Sequence, residues 1–134
     1  MKYVETCTVR PDNSFTLRFD FTAETDLQLR MWRHYFALPV STYAGAQARG
    51  AAAAVTLPQE RTNEPLLPGA KQMTITTAET VLAIESSLPL TLIDHRRWGT
   101  AEYLLAGYPV QGKVPADKQW SVEIRVAVSQ RPGH

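Results

Sequence analysis

A chain of 134 residues, 44% hydrophobic and 20% charged, reads as one globular domain over residues 1–134 with enough apolar material for a real core. Its formal net charge is +1 and its Lys and Arg residues are scattered, which removes the usual electrostatic footprint of a nucleic-acid binder. No apolar run approaches the roughly 20 residues that cross a bilayer, so no membrane partner is expected; with residues 1–10 lacking a signal-like apolar stretch and with a single cysteine, the compartment (cytoplasmic, or secreted within a larger protein) stays open.

The clearest signal is alternation with a period of two. A first strand around residues 3–9 meets a turn at Pro11-Asp12-Asn13-Ser14. Phe15, Leu17, Phe19 and Phe21 then alternate with Thr16, Arg18, Asp20 and Thr22, which predicts a strand with a buried odd face and a wet even face. Residues 26–36 start with Leu27, Leu29 and Met31 on one side and Gln28, Arg30, Trp32 and His34 on the other. Residues 43–54 are Ala-rich, but Gly45 and Gly50 weaken a helix there. Residues 57–70, with Pro58, Pro65 and Pro68, predict a long irregular loop. Met73-Thr74-Ile75-Thr76 leads through a turn at 77–80 into 81–85, a hairpin favoured over a helix at 78–88 by its β-branched residues. Short apolar runs follow at 88–93 and 101–106. The last strand alternates Trp120, Val122, Ile124, Val126 and Val128 with polar or small residues, which makes Trp120 a core residue. The spacing predicts an all-β antiparallel sandwich, jelly-roll-like, of about 8–10 short strands.

Catalytic and metal signatures are sparse. His34, His95 and His134 show no ligand spacing, and no metal or other cofactor is expected. Cys7 falls in a predicted strand as an inert, buried thiol. Asp20, Asp94, Glu102 and Glu123 are the carboxylates from which a glycosidase pair would be drawn, but Asp20 and Glu123 fall on polar faces where a solvated carboxylate is the default. Asp94-His95-Arg96-Arg97-Trp98-Gly99 is the most unusual stretch. Its guanidiniums suit hydroxyl pairs or carboxylates, and its indole offers an apolar plate. The competing role is architectural: Arg96 or Arg97 pairs with Asp94 to shape a corner, and Trp98 plugs the sandwich edge. Trp32, on the face of Gln28, Arg30 and His34, is the second exposed-indole candidate, unless a bulge turns it inward.

The last third of the chain, through Leu92-Ile93-Asp94-His95-Arg96-Arg97-Trp98-Gly99, Tyr103-Leu104-Leu105 and the strand at 120–128, resembles the short β-sandwich accessory modules of large bacterial polysaccharide-degrading enzymes. That resemblance implies carbohydrate binding or a scaffolding role without catalysis. The stretch 103–111 is also similar to a strand of jelly-roll alginate lyases, but Leu105 replaces their lysine, Pro109 interrupts the run and no Gln-x-His partner is present. The expectation is a non-catalytic module that docks a polysaccharide or oligosaccharide through Trp32 and Trp98, with Arg30, His34, His95 and Arg96 as hydrogen-bonding residues. The alternative is a protein-interaction sandwich that packs on a neighbouring domain or forms a homo-oligomer; a small polysaccharide-cleaving enzyme comes third.

Overall fold

The computed structural model describes residues 1–29, 34–107 and 112–131, with the backbone alone described at 29, 34 and 35. Among them the chain forms eleven strands: β1 (Lys2–Arg10), β2 (Ser14–Thr22), β3 (Leu27–Leu29), β4 (His34–Pro39), β5 (Gln47–Arg49), β6 (Ala54–Thr56), β7 (Leu67–Thr76), β8 (Thr80–Asp94), β9 (Glu102–Gly107), β10 (Gly112–Val114) and β11 (Gln119–Gln130). One helical turn, α1 (Val40–Tyr43), and a 3-10 turn (His95–Trp98) complete it. The strand pairs are antiparallel. The large sheet runs β1-β2-β11-β8-β7-β5-β6, with β9 added on β8 and β4 on β9, while β10 and β3 pair separately.

Strand β8 carries the architecture. Its first half pairs with β11 as far as Ser86, and its second half pairs with β9 from Thr91 onward. Between them the β7 register breaks: Gln72 faces Glu85, whereas Ala70 faces Leu90. The break contains Pro89, which has no N–H for a ladder. The two serines before it serve amides at the break, with Ser86 Oγ accepting from the Leu88 amide (3.2 Å) and Ser87 Oγ accepting from the Glu123 amide (2.9 Å). One long hairpin thus turns a corner and contributes to both packed layers.

The core lies between those layers. Met73, Ile75, Ile84, Val122, Ile124 and Val126 meet Leu38, Leu90, Leu92, Tyr103 and Leu105, all buried in one cluster. Leu57 and Leu67, at the two ends of the intervening loop, are buried in the same cluster.

The all-β antiparallel sandwich is the fold expected, and the hairpin at 73–85 replaces the rival helix. Several local expectations are corrected. The strand count is eleven among the described residues. Residues 26–36 are not one strand, since β3 pairs with β10 and β4 with β9. The runs at 81–85 and 88–93 belong to one strand, and the irregular loop ends at residue 66 because Leu67 already starts β7. On β2 only Phe21 of the predicted apolar face is fully buried; Phe15, Leu17 and Phe19 are half-buried, whereas Ser14 and Thr16 are buried on the other side. Trp120 is half-buried and stacks on Phe21 with ring centres 5.3 Å apart. Its buried Nε1 finds no acceptor among the described residues.

Leu92, 0% exposed on the shared strand, touches both layers through the core. Leu92→Ala is expected to lower unfolding stability by about 2–5 kcal/mol, read from urea denaturation midpoints. A loss under about 1 kcal/mol would show that the layers do not close on this residue.

Candidate functional site

The stretch 94–99 forms a corner whose chemistry follows from its order of residues. β8 ends at Asp94, whose carboxylate accepts from the Arg96 amide at 3.1 Å and so caps the 3-10 turn. Gly99 closes the turn at φ 95°, a left-handed conformation that a side chain would oppose. His95 Nδ1 and Thr100 Oγ1 are hydrogen-bonded at 2.6 Å.

Arg96 is engaged in the fold on every side. Its Nε and Nη2 donate to the Asp94 carboxylate at 3.0 and 2.8 Å, Nη1 donates to the Gln59 carbonyl at 2.7 Å, and Nη2 also reaches the Pro58 carbonyl at 3.1 Å. Its guanidinium lies 5.5 Å from the Tyr103 ring centre, and the Tyr103 hydroxyl donates to the same Pro58 carbonyl at 2.6 Å. The Thr62 amide donates to Asp94 Oδ2 at 3.1 Å, and the Leu66 amide to the Leu92 carbonyl at 3.0 Å. The loop at 57–66 is therefore strapped onto the sandwich by a buried acid and a forked base.

The electrostatics match this geometry. Burial raises the Asp94 pKa, but the hydrogen bonds from Arg96 and Thr62 and the Arg96 charge outweigh it and hold the carboxyl below its ordinary value. Burial pushes the Tyr103 hydroxyl up, against the lowering influence of Arg96. Neither group is poised for acid-base work near neutrality. The carboxylates Asp20 and Glu123 lie on the solvated face of the sheet, both bonded to Arg18, at 3.2 and 3.4 Å.

Trp98 stands out from the same turn, 55% exposed. The Arg97 guanidinium lies 4.2 Å from its ring centre, and the His95 ring is 5.1 Å away, tilted by 34°. These contacts hold the indole in place and cover part of its surface. Thus the corner brings His95, Arg96 and Trp98 together but turns Arg96 inward. Arg30 and Trp32 lie outside the described residues, and only the backbone of His34 is described, paired opposite Gly107. Among the described residues no group of three or more His, Cys, Asp or Glu could hold a metal ion. No helix among them is long and apolar enough to cross a membrane.

A second surface escaped the sequence reading. All nine residues of β1 are exposed, including Tyr3 at 57% and Val9 at 79%, and Cys7 is exposed rather than buried. Tyr3, Cys7 and Val9 pair with Phe21, Leu17 and Phe15, so the apolar face of β2 continues onto an open edge strand. Alternation announces an apolar face; it carries no information on whether another layer reaches far enough to cover it.

The Asp94–Arg96 clamp predicts a particular stability profile. Arg96→Ala leaves a buried carboxylate without its base and should cost about 3–5 kcal/mol in chemical denaturation. Because the folded-state pKa of Asp94 is depressed, its contribution is present above the unfolded value of about 3.9 and is lost as pH falls through the folded value. Asp94→Asn should therefore flatten part of the stability loss that the parent shows on acidification below about pH 4. An unchanged acid limb would mean that Asp94 is not held ionised by the corner.

No protein-family model matches the chain, and no curated protein is significantly similar to it.

Proposed function

We propose that the chain is a non-catalytic protein-interaction module that self-associates through β1. The observation that carries this reading is the complete exposure of β1, a regular nine-residue strand on the edge of the large sheet. Its pairing with β2 runs without a bulge, and it contains no proline; the charges it carries are Lys2 and Arg10 at its ends and Glu5 opposite Phe19. A second copy satisfies such an edge by antiparallel strand addition about a two-fold axis. Centred on Thr6, this pairing sets Tyr3 of each copy opposite Val9 of the other and joins two half-covered apolar faces. Lys2 then meets Arg10 at both ends, a like-charge contact that salt screens.

Sedimentation velocity across a concentration series should show a monomer–dimer equilibrium that tightens with added salt. The double variant Tyr3→Lys, Val9→Lys, altered only at exposed positions, should remain monomeric. A parent chain that stays monomeric throughout would overturn self-association and leave a neighbouring domain as the partner for this face.

Docking of a polysaccharide or oligosaccharide is a second reading, supported by the exposed Trp98 and its flanking His95 and Arg97. An indole presents an apolar plate to a sugar ring and an N–H donor at its rim. Titration with neutral and acidic polysaccharides should produce a saturable tryptophan fluorescence change that Trp98→Ala abolishes. A silent panel would remove this reading.

A further inference from the structure

The described arginines fall into two groups, those with a carboxylate partner and those without. Arg18, Arg96 and Arg125 each have a carboxylate partner: Asp20 and Glu123, Asp94, and Asp12. Arg10, Arg49, Arg61, Arg97 and Arg131 have none among the described residues, and two of these, Arg49 and Arg131, line the same cleft of about 870 Å³ on the far side of the large sheet from the core. That volume lies in the range of small-molecule sites.

The sheet register explains the lining. Gln47 pairs with Thr76 and Arg49 with Thr74, while the intervening pair, Ala48 and Ile75, is fully buried. Alternation therefore turns Gln47, Arg49, Thr74 and Thr76 outward together. The β7–β8 turn closes one end. Its Thr77 hydroxyl accepts from the Thr80 amide at 3.0 Å, and the Arg131 amide donates to the Glu79 carbonyl at 2.8 Å, which brings the segment after β11 against the turn. Gly45, at φ 86° with its amide on the Leu57 carbonyl at 2.9 Å, shapes the other wall.

The polar groups of this cleft have one sign and spare capacity. No carboxylate is found among its described lining residues, and the side chains of Thr42, Thr74, Thr76, Arg49 and Arg131 make no hydrogen bond or ion pair within the described residues. Two cationic side chains on one cleft with no carboxylate among its described lining residues favour an anionic occupant. A guanidinium offers a planar fork that matches a carboxylate or a phosphate, and a threonine hydroxyl donates to or accepts from a ligand hydroxyl.

We infer that the Arg49–Arg131 cleft binds a small hydroxylated ligand through its oxyanion, either the carboxylate of a sugar acid or the phosphate of a sugar ester. Arg49 and Arg131 hold the anion, and the hydroxyls of Thr42, Thr74 and Thr76 meet those of the ligand. The cleft shares no residue with β1 or with the 94–99 corner, so the inference stands whatever occupies those surfaces.

The test is a titration of the isotope-labelled chain followed by amide NMR, with glucuronate, glucose 6-phosphate, glucose and inorganic phosphate at constant ionic strength. Glucuronate or glucose 6-phosphate should move the amides of Thr74, Thr76, Thr77 and Arg131, with the tighter of the two naming the anion. Glucose should bind about tenfold more weakly or worse, as should either anionic sugar to the Arg49→Ala, Arg131→Ala variant, whose dispersed spectrum would show it still folded. Absence of shifts with both anionic sugars would overturn the inference. So would glucose binding as tightly as they do, inorganic phosphate matching both, or undiminished binding in the double variant.

Discussion

Strand β8 has to serve two layers, and that constraint organises the rest of the molecule. Fifteen residues leave the β11 side of the sheet, turn a corner and arrive beside β9. A strand can do this only if the ladder is interrupted without orphaning its buried groups. Ser86, Ser87 and Pro89 make the interruption: proline removes a donor, and the two hydroxyls take over acceptor duties at the bend. On either side of the bend the alternating residues Leu82 and Ile84, then Leu90 and Leu92, all reach the same core.

The end of β8 carries the second constraint. A proline-containing loop between β6 and β7 has no ladder of its own, so its carbonyls and amides must find partners elsewhere. Asp94 and Arg96 provide them as a unit, the acid receiving the Thr62 amide and the base donating to Pro58 and Gln59. Burial makes Asp94 dependent on its partner, because the carboxylate alone would be stranded. The same turn that directs Arg96 onto the loop carbonyls pushes Trp98 outward, so structural and surface roles are divided between residues only two positions apart.

Much of the fold was legible in the residues themselves. The strands β2 and β11 and the hairpin around 77–80 emerge as read, because each depends on local pleating and turn chemistry, although on β2 only Phe21 of the apolar face is fully buried. The continuity of β8 was hidden by Ser86 and Ser87, which separate the apolar runs at 81–85 and 88–93. Division of 26–36 into two strands with different partners depends on which distant strand each half meets, and one segment's alternation is silent on that. At the candidate corner, the unusual composition of 94–99 marked the place but left two roles for its arginines. Distances to the loop carbonyls decide for Arg96, since residues 58 and 59 lie far from it in sequence.

What the sequence by itself determined is the β class and the apolar stripe of each long strand, both consequences of side-chain chemistry repeating every second residue. Only the tertiary structure decided which stripes are covered. Val9 and Val126 carry the same side chain on alternating strands of one sheet, yet Val9 is 79% exposed and Val126 is 2% exposed. The difference is the reach of the opposing layer, which stops short of β1. Convergence of Arg49 and Arg131 on one cleft is likewise decided by pairing across β5, β7 and the segment after β11. Burial and counter-charge are properties of what lies across the gap, and contacts between residues far apart in the chain set them.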